Sequence, residues 1–112
     1  MTDCIELSAQ LGRAMAGSPQ AVALRAAREA LNSQPEVIKT LEEYQEQAEK
    51  VTRLEQEQKP VEVEDKHKLQ ELNNRLVGSE VFKKFTAAQV EYVDLMRKVN
   101  DVIRRELAET EK

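Results

Sequence analysis

The sequence predicts an all-α protein: an elongated antiparallel helical hairpin or bundle of about five helices, two of them long, that self-associates. Three observations lead there. Ala, Glu, Lys, Leu and Arg make up 57 of the 112 residues, the balance of long helices and coiled coils. Three Gly, three Pro and two Phe leave little to build turns or a sandwich core, and no stretch alternates β-branched or aromatic residues with polar ones as a half-buried strand does. Apolar residues recur instead at spacings of three and four, interrupted where the glycines and prolines fall. The share of Leu, Ile, Val and Phe is high enough for folding, and the length fits a single domain spanning 1–112.

The elements follow in chain order. Over 3–16, Cys4, Leu7, Ser8, Leu11, Ala14 and Met15 share one stripe, with Gly12 a weak point and Gly17 a stop. Ser18 and Pro19 form an N-cap and first-position pair, opening a helix over 19–32 that packs Ala23, Leu24, Ala27, Ala30 and Leu31. Ser33 and Glu36 have capping-box spacing around Pro35, so Ser33 is expected to cap a long helix over 35–58 whose apolar positions are Val37, Ile38, Leu41, Tyr44, Ala48 and Val51. Lys59-Pro60-Val61-Glu62-Val63 breaks the pattern as a reversing loop. A helix over 63–77 starts with the acids Glu64 and Asp65 and buries Leu69, Leu72 and Leu76. After Gly78, Ser79 caps the last helix, 79–109. Its wide seam contains Val81, Phe82, Phe85, Ala88, Gln89, Tyr92, Leu95, Met96, Val99, Val102 and Ile103.

The two long helices are about 36 Å and about 46 Å at 1.5 Å per residue, whereas a compact globule of this size is about 34 Å across. Two rods of that length leave part of the wide seam open, and a second copy of the chain is expected to cover it. Val81, Phe85, Tyr92, Met96, Val99 and Ile103 are therefore the candidate oligomer or core seam.

Little in the sequence supports chemistry. The net charge is −4, without the basic balance of a nucleic-acid binder; the paired bases of the last helix are interleaved with acids, so no direct nucleic-acid contact is expected. One cysteine, Cys4, makes no intrachain disulfide and no multi-thiolate metal site. Glu64 and His67 have the Glu-x-x-His spacing of di-metal bundle sites, but His67 lies off the 69, 72, 76 stripe, and a solvent-facing histidine is favoured over a metalloenzyme. Glu42, Glu43, Glu46 and Glu49 read as a solvated acidic face. No phosphate loop, nucleophile elbow or Cys/His pair is present. The start of the chain has no signal-peptide pattern and no apolar run is long enough to span a membrane, so the expectation is a cytoplasmic protein with no cofactor, no metal, no small-molecule substrate and no enzymatic activity.

The order of elements carries a resemblance. Ala23-Leu24, Ala27 and Leu31-Asn32, then Leu41-Glu42-Glu43-Tyr44, Pro60-Val61 with Glu64-Asp65, Phe85 with Ala88-Gln89, and Leu95-Met96, Val99-Asn100 and Val102-Ile103 together resemble the YlbF/YmcA family of small bacterial proteins over about 5–108. The resemblance implies an elongated, self-associating helical fold and a non-enzymatic regulator that acts through partner proteins, with roles in competence, biofilm programmes and RNA processing. Some members hold iron–sulfur clusters through cysteines; this chain, with Cys4 alone, departs from them. The expected function is an oligomeric helical adaptor whose partners are itself and a protein docking on the apolar seam. The alternative is a holdase-like or purely structural coiled-coil protein.

Overall fold

The computed structural model describes residues 3–110, which form five α-helices and no strand. They are α1 (Cys4–Ala16), α2 (Pro19–Asn32), α3 (Pro35–Gln56), α4 (Val63–Val77) and α5 (Glu80–Thr110). The all-α class stands. The chain divides into two compact units, one made of residues up to 28 together with those from 85 onward, the other of 29–84.

In the 29–84 unit, α3 packs on α4. Gln47 of α3 bonds to Asp65 at the start of α4, while Tyr44, one turn earlier, shares a groove with Leu69, one turn later. Partners that move backward along α3 as they move forward along α4 define an antiparallel hairpin. Its core is leucine: Leu72 and Leu76 are 3% and 2% exposed, and Leu31, from the end of α2, is also buried. The buried residue that the apolar spacing does not show is Gln47, 5% exposed. Its amide satisfies itself by donating to the Asp65 carbonyl at 3.0 Å and to Asp65 Oδ1 at 3.4 Å, as a buried polar group requires. Lys50 Nζ reaches the same Oδ1 at 2.9 Å. The Lys50 ammonium, with the Gln47 amide behind it, holds the Asp65 carboxyl below its ordinary value against the opposing effect of desolvation.

The turn between α3 and α4 has a physical cause. Gln58 sits at φ 58°, the left-handed conformation that ends many helices and that glycine takes most readily. Lys59 N–H then donates to the Leu54 carbonyl at 2.8 Å and Gln58 N–H to the Glu55 carbonyl at 3.1 Å, the paired bonds of a Schellman ending. Pro60 follows and prevents continuation.

The other unit takes α1, α2 as far as Arg28, and α5 from Phe85. Ala21 is buried there. Gly12 and Ala16 of α1, Ala21 and Leu24 of α2 and Tyr92 of α5 line a concavity of about 310 Å³, with Arg25 and Arg28 also on its lining. The stripe expected on α1 is present but buries nothing: Met15 is half-buried and Leu7 and Leu11 stay exposed.

The caps are mostly as the residue types dictate. Asp3 accepts from the Glu6 amide at 2.8 Å, Ser18 from the Ala21 amide at 3.1 Å and Ser79 from the Phe82 amide at 3.3 Å. The capping box expected at Ser33 does not form. Pro35 keeps the residue before it out of the helical region, so Gln34, at φ −121° and ψ 85°, becomes the N-cap without a side-chain bond. Ser33 falls one residue short and donates backward to the Ala30 carbonyl at 2.6 Å, closing α2 instead of opening α3.

Candidate interaction surface

α5 runs for 31 residues and buries none of them, although its apolar pattern is continuous. The six seam candidates separate by position on it. Val81, Phe85, Tyr92 and Val99 are half-buried, whereas Met96 and Ile103 are exposed. Around Phe85, Tyr92 and Val99 the row is completed by Ala88 and Leu95, both half-buried, and the steps of three, four, three and four keep the five on one face. A second row begins one position after Tyr92. Val93, Met96, Ile103 and Leu107 are 54%, 38%, 44% and 60% exposed, with the exposed Asn100 among them. Within the single chain, the seam therefore consists of two adjacent rows, the first half-covered and the second open to solvent. Val93 and Leu107 were missed as site residues because the width of the seam hid the narrower periodicity inside it.

A ladder of ion pairs flanks the open row. Arg97 bridges Asp94 at 2.6 Å and Asp101 at 3.5 Å, Lys98 reaches Asp94 at 3.1 Å, and Arg104 lies 3.7 Å from Asp101. The neighbouring Arg97 guanidinium, then the Lys98 ammonium, hold the Asp94 carboxyl below its ordinary value, and Asp94 in turn raises Arg97. These pairs are three or four residues apart, one helical turn, so the alternation in sequence makes the ladder by itself. Its three bases share two acids, so the ladder carries one surplus positive charge.

The other sequence candidates are scattered. His67 and Glu64 are exposed on α4, Cys4 is exposed on α1, and Glu42, Glu46 and Glu49 are exposed on α3 with Glu43 half-buried. Among the described residues, no group of three or more His, Cys, Asp or Glu is placed to hold a metal ion, and no helix is long and apolar enough to cross a membrane. Chemically, the surface on α5 is suited to packing against another helix.

The family model for control of the competence regulator ComK, YlbF/YmcA, matches residues 4–108. No curated protein matches the chain.

Proposed function

This chain belongs to the YlbF/YmcA family, a family of competence regulators, and from that premise we propose that it is a non-enzymatic, oligomeric helical adaptor. In this role it works in the bacterial cytoplasm, pairs with itself through α5 and presents the assembled helices to a regulatory protein partner. Its place is that of an accessory factor in RNA processing or developmental regulation. The observation that carries the proposal is the open row on α5: four large apolar side chains in line, exposed in the single chain. A row of exposed apolar side chains of this kind on a water-exposed helix is what an interface presents.

The experiment is the mass of the chain in solution, by sedimentation or light scattering, at micromolar concentration. A mass of two or more chains is expected, and Met96→Asp is expected to reduce it by placing a charge in the interface. A parent mass equal to one chain refutes the self-association. Affinity purification from the native bacterium tests the adaptor role separately: a stoichiometric partner supports it, and many clients or none support the holdase-like alternative.

A further inference from the structure

Val93, Met96, Asn100, Ile103 and Leu107 step by three, four, three and four along α5. That is the a and d spacing of a heptad, with Val93, Asn100 and Leu107 at a and Met96 and Ile103 at d. The same numbering puts Arg97 and Arg104 at e and Tyr92, Val99 and Glu106 at g. We infer that this row is a two-stranded seam with a second copy of the chain, the two α5 helices lying parallel and in register so that Asn100 meets Asn100 of the second copy. The inference rests on the self-association proposed above and adds its surface, orientation and register.

Two features select a second copy, and that orientation. Asn100 interrupts an otherwise apolar row, and its amide needs a donor and an acceptor at its own level when water is excluded. An apolar groove on an unrelated partner offers neither. A copy related by a two-fold axis along the helices offers both, and a single asparagine at an a position is the device by which two-stranded coiled coils fix register. Antiparallel pairing would set Asn100 against Met96 and leave the amide unpaired.

Charge points the same way. Arg97 and Arg104 pair with Asp94 and Asp101 on their own helix, and what each arginine would lie beside across the seam distinguishes the two orientations. In the parallel arrangement each e position faces a g position five residues earlier on the other helix. Arg97 and Arg104 then lie beside the uncharged Tyr92 and Val99. The antiparallel arrangement that sets Asn100 against Met96 places Arg97 beside Arg97 of the second copy, a like-charge contact.

Disulfide trapping on the full chain tests this. In a Cys4→Ser background, Asn100→Cys and Leu107→Cys each put a thiol at an a position, where a parallel pair brings the two Cα atoms within disulfide range. Either is expected to form a covalent dimer under mild oxidation, at least about tenfold faster than Val102→Cys on the far side of the helix, which is outside that range. Sedimentation of the reduced variants gives the mass independently, and far-UV circular dichroism confirms that each is folded. A dimeric mass with efficient self-linking at 100 or 107 supports the inference. A dimeric mass in which Asn100→Cys links only to a Met96→Cys chain means antiparallel pairing and overturns it, while leaving self-association in place. A dimeric mass with no linking at any of these positions assigns the interface to another surface and also overturns it. A monomeric mass for the reduced variants and the parent alike removes the self-association itself.

Discussion

Ile103→Ala separates the two rows of α5 most directly. Ile103 is 44% exposed in the single chain, so more than half of its surface is already covered before any partner arrives. Full burial of an isoleucine side chain contributes about 1.5–3 kcal/mol, and the open portion therefore represents about 1 kcal/mol when a second helix covers it. Truncation to alanine removes most of that, about 0.7 kcal/mol per copy. A symmetric pair loses it twice, about 1.4 kcal/mol, which is tenfold in Kd. Met96→Ala, at 38% exposure, is expected to act similarly, and the double variant to weaken association about a hundredfold if the two contributions add. The assay is sedimentation equilibrium over a concentration series spanning the parent Kd. Val99→Ala is the control. It lies on the half-covered row and is expected to lower the urea midpoint of dilute protein more than Ile103→Ala does. The reasoning fails if Ile103→Ala leaves Kd within about twofold of the parent, under 0.5 kcal/mol, or if Val99→Ala weakens association more than Ile103→Ala.

Other consequences follow from the hairpin and its caps. Leu76→Ala removes a nearly inaccessible side chain from the α3 and α4 core and is expected to cost about 3 kcal/mol in urea unfolding, against about half that for the half-buried Leu69. Gln58→Gly relieves a left-handed φ at an exposed helix end and is expected to stabilise by about 1 kcal/mol, read as a raised midpoint. Ser79→Ala deletes a cap that accepts from the Phe82 amide and is expected to cost about 1 kcal/mol. Ser33→Ala, which removes no cap from α3, is expected to stay within about 0.5 kcal/mol. Asp65 has a folded-state pKa below its ordinary 3.8, so its contribution to stability is complete above pH 3.8 and is lost as pH falls through the lower folded value. Lys50→Met removes the largest cause of that depression. It is expected to move the Asp65 titration, followed by carboxyl-carbon NMR, upward; an unmoved titration refutes the assignment.

The helical class was legible because the local signals are strong and agree with one another. Proline at 19 and 35, serine at 18 and 79 and the sparse glycines act within a turn of where they stand. The Ser33 and Glu36 pair was misread for an equally local reason: Pro35 restricts the backbone of residue 34 more strongly than a serine side chain selects its own cap position. Gln47 was not legible, because a glutamine on an acidic helix becomes a core residue only when α4 brings the Asp65 carbonyl to it. The candidate surface was legible in part. Val81, Phe85, Tyr92, Met96, Val99 and Ile103 were all placed on the apolar side of the last helix, yet nothing in their spacing divides them into a half-covered row and an open one.

By itself, then, the amino-acid sequence determined that the protein is all-α and which side of α5 is apolar, since backbone propensity, caps and a period of 3.6 depend on near neighbours; on α2 the expected Ala23 and Ala30 are exposed and Ala21 is buried instead. Only the tertiary structure decided how much of each apolar side is covered within the single chain. Solvent exposure depends on residues far away in sequence, and periodicity along one axis carries no information about which neighbours arrive beside it.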